Sequence, residues 1–357
     1  MKLFIPGPTQ VSPEILVEMS KPAIGHRTEE CARLWQEARH GLSKLMHTKN
    51  EVMILTAPAT AFMEAAIRNT VKNKSLHLIC GAFSKRWFDI AESTGVDAIA
   101  VEKKMGQGFS ADDLRSALNE CGPVDAVTVV HNETSTGVTN PVQDYAEVLK
   151  DFPNTLLLVD TVSSMSGSPV YVDKWGIDVC LFGVQKCMAL PAGIAIASAS
   201  PRALERAATI EHRGWFLDFL RLAKSNQKGQ SPTTPSTAHL YALTAQLKRI
   251  FSEGIQARWE RHYEMATFVR NWAQGHGYEM FPDSGYCSDT VSCIARGSGP
   301  DFVPALDALK EQGILVSNGY GDLKGKTFRI GHLGEHNLDD IRQLTEQFDA
   351  ALEPVFA

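Results

Sequence analysis

The chain has 357 residues, 44% of them apolar and 21% charged, with a net charge of −6. That length accommodates one large domain and a smaller one, and the acidic balance disfavours a general nucleic-acid binder, leaving small molecules or another protein chain as partners. Seven cysteines, without CxxC or Cys/His spacing, indicate neither a disulfide framework nor a zinc site; no metal is expected, and a reducing cytoplasm fits best.

The opening residues, MKLFIPGPTQVSPE, interrupt their apolar run with two prolines before a signal-peptide core could form, and no later stretch is long enough to span a bilayer. A soluble protein without membrane contact is the expectation, with residues 1–20 as an N-terminal segment. Glu29 to Met46 carries apolar residues at helical spacing, and so does Thr60 to Val71. Short runs apolar on both faces alternate with such helices: VMILT (52–56), LHLIC (76–80), AVTVV (126–130), TLLLVD (155–160) and DVCLFG (178–183). This is the pattern of a mostly parallel sheet covered on both sides, so the fold class is α/β. The loops that leave those runs read TAPATA, GAFSKRW, HNETSTG, DTVSS and GVQK, polar where such a fold collects its chemistry. A loop rich in Gln, Ser, Thr and Pro (225–236) and one long helical stretch from Thr237 to Gln274 follow, then mixed strands and a helix. Residues 21–249 are expected to form the large domain and 250–357 a smaller α+β domain.

Lys186 is the only charged residue between Val179 and Ala199. An ammonium in such a setting either snorkels to water or is held neutral and reactive. Asp160 ends the preceding strand, so neighbouring strand ends can bring a carboxylate and an amine to one ligand. Pyridoxal phosphate chemistry needs that arrangement: a lysine to form the Schiff base, and an acid to keep the pyridine nitrogen protonated. The helix opened by TAPAT offers backbone amides and the Thr60 hydroxyl to a phosphate, with Ala59 beside it. Phe83 is a candidate to stack on the ring, Ser135 and Gln185 to hydrogen-bond its oxygen and the phosphate, and Arg329 to pair with a substrate carboxylate. His26 and Arg27 read either as a solvated loop capped by Thr28 or as a cationic pocket for a distal anion. GYGDLKGKT (319–327) is out of register for a P-loop and reads as a glycine-rich loop over the active site.

The ordered set PGPT (6–9), HR (26–27), GAF (81–83), HNETSTG (131–137), VDTVSS (159–164), GVQK (183–186), QSPTTP (230–235) and FRIGHLG (328–334) resembles the class V aminotransferases over nearly the whole chain. The resemblance implies the pyridoxal phosphate transferase fold of type I and pyridoxal 5′-phosphate as cofactor. It implies Lys186 as the Schiff-base lysine, Asp160 as the pyridinium partner, Phe83 as the stacking ring, Arg329 as the carboxylate anchor, and Thr60, Ser135 and Gln185 as cofactor contacts. It also implies a homodimer, with Thr233 or Thr234 reaching the partner subunit's phosphate. One departure is TAPAT itself, where Ala57, Pro58 and Ala59 replace the family's glycine- or serine-rich loop and Pro58 lacks an amide donor.

The expectation is transamination between a small amino acid and a 2-oxo acid, with phosphoserine favoured as donor because of His26 and Arg27, and with alanine or serine donating to glyoxylate or pyruvate as the alternative. Two other classes stand beside it. A cysteine desulfurase-like lyase would use Cys287, although Gln185 and Phe83 stand where that group places histidines. A non-catalytic subunit would bind cofactor weakly through the altered TAPAT loop.

Overall fold

A computed structural model describes the backbone of residues 1–356 and the side chains of residues 1–352. The apolar runs form one seven-stranded sheet in the order 51–55, 195–199, 179–183, 156–160, 126–130, 74–79 and 97–102. All neighbours pair parallel except Ala195–Ala199, which runs antiparallel to both of its neighbours. The pleat explains the two-sided hydrophobicity. Ile54, Val127, Val129, Leu157, Val159 and Phe182 enter one core, whereas Met53, Leu55, Leu156, Leu158, Val179 and Leu181 enter another on the opposite face.

The helix Glu29–Leu45 starts where the Thr28 hydroxyl accepts from the Cys31 amide at 3.3 Å, and it buries Trp35, Ala38, Leu42 and Leu45 in the first core. Thr60–Thr70 packs into the second. The long stretch expected from Thr237 to Gln274 is two helices, Thr237–Glu253 and Ile255–Gly275. Gly254 at φ +90° separates them, a conformation that only glycine adopts at little cost. We infer that the division between the large and small parts of the molecule falls at this residue.

A second, five-stranded sheet has the order 2–4, 314–318, 327–331, 291–295 and 279–280. Its first strand, Lys2–Phe4, comes from the N-terminus and pairs parallel with Ile314–Asn318, so the opening residues complete a sheet otherwise made by the end of the chain. Phe4, Val269, Phe302, Phe328 and Phe348 form its core. From there the chain returns to the large sheet, the Thr9 amide donating to the Gln185 carbonyl at 3.0 Å and the Thr9 hydroxyl to the Leu333 carbonyl at 3.2 Å. Among the described residues, no helix is long and apolar enough to cross a membrane.

Candidate active site

Register places the chemistry. Asp160, the last residue of its strand, lies beside Val130, and Lys186 follows Gly183 at the end of the next strand. Both line a cleft of about 300 Å³ between the two sheets, together with Ala59, Thr60, Phe83, Gln185 and Arg329. Of the residues expected from sequence, these seven meet in one place.

Lys186 does not snorkel. It is 8% exposed, and its Nζ donates to Thr134 Oγ1 and Ser163 Oγ, each at 2.8 Å. Nζ stands 5.1 Å from the centre of the Phe83 ring. Burial pushes the amine below the ordinary lysine range, and the charge of Asp160 pulls part of that shift back. Asp160 shows the mirror effect: burial raises its carboxyl, while the Val162 amide, donating at 2.6 Å, and the charge of Lys186 act against the rise. Gly7 of PGPT leaves the room for this lysine. At φ +134°, a Cβ on Gly7 would lie 3.1 Å from Lys186 Cγ.

Phe83 is placed by a residue that sequence reading passed over. Glu133, 0% exposed, accepts from the amides of Phe83 (3.1 Å), Ser84 (2.9 Å) and Ser135 (3.1 Å), and from the hydroxyls of Ser84 (3.0 Å) and Ser135 (2.6 Å). Its carboxylate therefore sits at the amino end of the helix Ala82–Ser93, where the helix dipole favours a negative charge. Tyr320 of the glycine-rich loop stands 5.7 Å from Phe83, and the guanidinium of Arg86 lies 4.8 Å from the same ring. Arg329 donates to the Thr134 carbonyl at 3.1 Å and to the Asn318 carbonyl at 3.4 Å, while its buried Nε has no partner. At the start of Thr60–Thr70, Ala61 and Phe62 donate to the carbonyls of Pro58 and Ala59, whereas the Thr60 amide makes no hydrogen bond among the described residues.

Other expected residues are elsewhere. Ser135 is turned from the cleft, its hydroxyl engaged by Glu133 and by the Ala82 amide at 3.0 Å; its neighbour Thr134 reaches Lys186 instead. Arg27 donates to the Ser231 carbonyl at 2.7 Å and to Gln230 Oε1 at 3.2 Å, in a separate surface depression with Trp215, Arg221 and Lys224. Half-exposed His26 does not line the Lys186 cleft either. Thr233 and Thr234 likewise lie outside their own chain's cleft, although their loop is tied to the TAPAT segment through the Ser236 amide, which donates to the Thr56 hydroxyl at 2.9 Å. Cys287 is outside the cleft wall, and burial raises its thiol, opposite to what an activated sulfur needs. The desulfurase expectation loses its nucleophile. The signals that could have found Thr134, Ser163 and Gly7 were present, since each lies in a motif already noted, but the motifs do not say which hydroxyl faces inward.

The class-V aminotransferase family model matches residues 3–320. An uncharacterized aminotransferase of Methanocaldococcus jannaschii is 38% identical over 93% of this chain and 87% of its own. The L-aspartate–glyoxylate aminotransferase of Paracoccus denitrificans is 33% identical, over 96% and 88%. The crystal structure of an alanine–glyoxylate aminotransferase from Nostoc sp. superposes with a TM-score of 0.92 at 30% identity, covering 98% of this chain and 95% of that one.

Proposed function

The chain belongs to the class V aminotransferase family and is a transaminase, and from that premise we propose that it moves the amino group of a small amino acid, alanine or serine, to glyoxylate. The observation that carries the reading is Lys186: a buried amine held by two hydroxyls in a cleft that also holds a carboxylate, an aromatic face and an arginine. The family implies pyridoxal phosphate, and the donor set fits it. Arg329 Nε is buried and unpaired, Thr60 offers a free amide at a helix start, and glycine at position 7 leaves room beside the lysine.

Pyridoxal phosphate, when bound, supplies a pyridine ring that takes up the electron pair of the substrate's Cα–H bond. In our reading Lys186 is the residue that would hold it and would then move the proton from Cα as general base; a burial-depressed amine is suited to that role. Thr134 and Ser163 fix the position of Nζ. With the cofactor bound, Asp160 would hold a proton at its ring nitrogen, Phe83 would pack against the ring, Gln185 and the Thr60 amide would hold its polar groups, and Arg329 would orient the substrate carboxylate. We further read the protein as a homodimer in which Thr233 or Thr234 completes the partner's phosphate site.

Phosphoserine, expected from His26 and Arg27, is replaced as favoured donor. Within one chain Arg27 is committed to Ser231 and Gln230 away from the cleft, and the relatives of known substrate named above use glyoxylate. A second reading, aspartate as donor, is favoured by Arg86, which lines the cleft with no carboxylate partner among the described residues. The test compares kcat/KM for alanine, serine, aspartate and phosphoserine with glyoxylate as acceptor. A small donor leading phosphoserine by at least tenfold is expected; phosphoserine leading would overturn the assignment.

A further inference from the structure

Resting on the reading of Lys186 as the amine that moves the substrate proton, we propose that Arg258 is a positioning residue for it, holding the backbone that carries Lys186 against the segment that follows Arg329. Arg258 lies on the helix Ile255–Gly275, is 1% exposed and does not line the cleft. Its Nη2 donates to the Cys187 carbonyl at 2.8 Å, to the Gly334 carbonyl at 3.0 Å and to Glu335 Oε1 at 2.9 Å, one of its two hydrogens being shared. Nη1 donates to Glu253 Oε2 at 2.7 Å. One planar group thus joins the residue after Lys186, the loop beyond the Arg329 strand and the end of the helix Thr237–Glu253.

The lysine needs this support because no regular element carries it: the strand Val179–Gly183 ends before it, and the next begins at Ala195. Its place is set by the carbonyls of residues 185–187. The Thr9 amide holds that of Gln185 at 3.0 Å and the Ala189 amide that of Lys186 at 2.8 Å, whereas the Cys187 carbonyl has Arg258 alone among the described residues. His262 repeats the connection. Its Nε2 accepts from the Gly334 amide at 3.2 Å, so its Nδ1 carries the proton that the Arg258 carbonyl accepts at 2.7 Å. A guanidinium buried between carboxylates contributes little net stability over an apolar replacement, because desolvation offsets the attraction. Its planar fork of donors, which neither lysine nor glutamine reproduces, is what fits two carbonyls and two carboxylates at once.

The test uses full-length protein loaded with pyridoxal phosphate, as wild type, Arg258→Lys and Arg258→Gln, the second deciding the matter if the first does not fold. One readout is the rate at which saturating alanine or serine bleaches the near-visible absorbance band. The other is hydrogen exchange at the Ala189 and Leu190 amides, which donate to the Lys186 and Val184 carbonyls at 2.8 and 3.0 Å and exchange only when this loop opens. Bleaching is expected to slow about tenfold with the half-saturating amino acid concentration little changed, and both amides to exchange about tenfold faster, while those of the strand Ala126–Val130 keep their wild-type rates. A merely structural role would instead speed exchange throughout. Bleaching or local exchange within about twofold of wild type overturns the proposal, as does equally faster exchange in Ala126–Val130. A rise in half-saturating concentration larger than the loss of rate also overturns it, since Arg258 would then serve substrate binding. A wild-type band that neither alanine nor serine bleaches would overturn the reading of Lys186 itself, and the exchange arm would still judge the clamp.

Discussion

Glu133 shows how much a single buried charge organises here. A fully buried carboxylate is costly unless its lone pairs are filled, and five donors fill them, three of them backbone amides. Replacing it with alanine leaves those donors unpaired. Glu133→Ala should lower the unfolding free energy by about 3–5 kcal/mol in urea titration, a loss comparable to breaking a buried ion pair; a change below about 1 kcal/mol would contradict the positioning role. Sequence alone could not assign this residue. HNETSTG offers three hydroxyls and a glutamate in a tight turn, with the Gly137 amide donating to the Glu133 carbonyl at 2.8 Å, and only the folded turn decides that Thr134 faces Lys186 while Ser135 faces Glu133. Lys186 stands out as the lone charge of an apolar run, but that alone reads equally as a snorkelling lysine. It takes Asp160 at the preceding strand end, Arg329 and the ordered family motifs together to point to one cleft, which these three residues do line.

At the level of elements, the core strands could be read directly, since five runs apolar on both faces all became strands of the seven-stranded sheet. Two strands escaped. Asp97–Glu102 is an edge strand with no buried residue, a short apolar run between two acids, and Ala195–Ala199 is mostly small residues that resemble a helix as much as a strand. The merged helix is the instructive difference. Periodicity continues smoothly across Gly254, and only its positive φ ends one helix and starts the next. Gly254→Ala puts a Cβ into that left-handed backbone, with its nearest neighbour, Ala257 Cβ, a comfortable 4.0 Å away. The cost is therefore backbone strain alone, about 1–2 kcal/mol by urea titration; an unchanged midpoint would mean that the break does not depend on glycine. The pairing of Lys2–Phe4 with Ile314–Asn318 was invisible from sequence, because nothing local links residues more than three hundred positions apart.

The whole molecule carries a pH dependence set by buried imidazoles. Burial holds His131 down to about 4 and His77 and His332 to about 3, and His262 is also well below its usual value. Below about pH 6.5 the unfolded chain takes up these protons and the folded chain does not. The stability they contribute is thus present above pH 6.5 and lost as the pH falls toward 4, at about 1.4 kcal/mol per pH unit for each fully responding group. Asp160 and Asp178, raised by burial, act in the opposite direction, while the lowered imidazoles of His47 and His336 add to the four. Urea midpoints should fall steadily between pH 6.5 and 4.5, and a flat profile would contradict the burial of these rings. His77 lies in the large sheet, His131 and His332 directly follow strands of the large and the small sheet, and His262 is in the helix Ile255–Gly275, so the loss is global rather than confined to one part.

The proposed attachment of the cofactor at Lys186 can be read from one covalent bond. The full-length protein is loaded with pyridoxal phosphate, reduced with borohydride, digested, and searched by mass spectrometry for the pyridoxyl group. Nearly all of the label on Lys186 is the predicted result. Label on another lysine, or no label on a folded protein saturated with cofactor, would contradict the assignment.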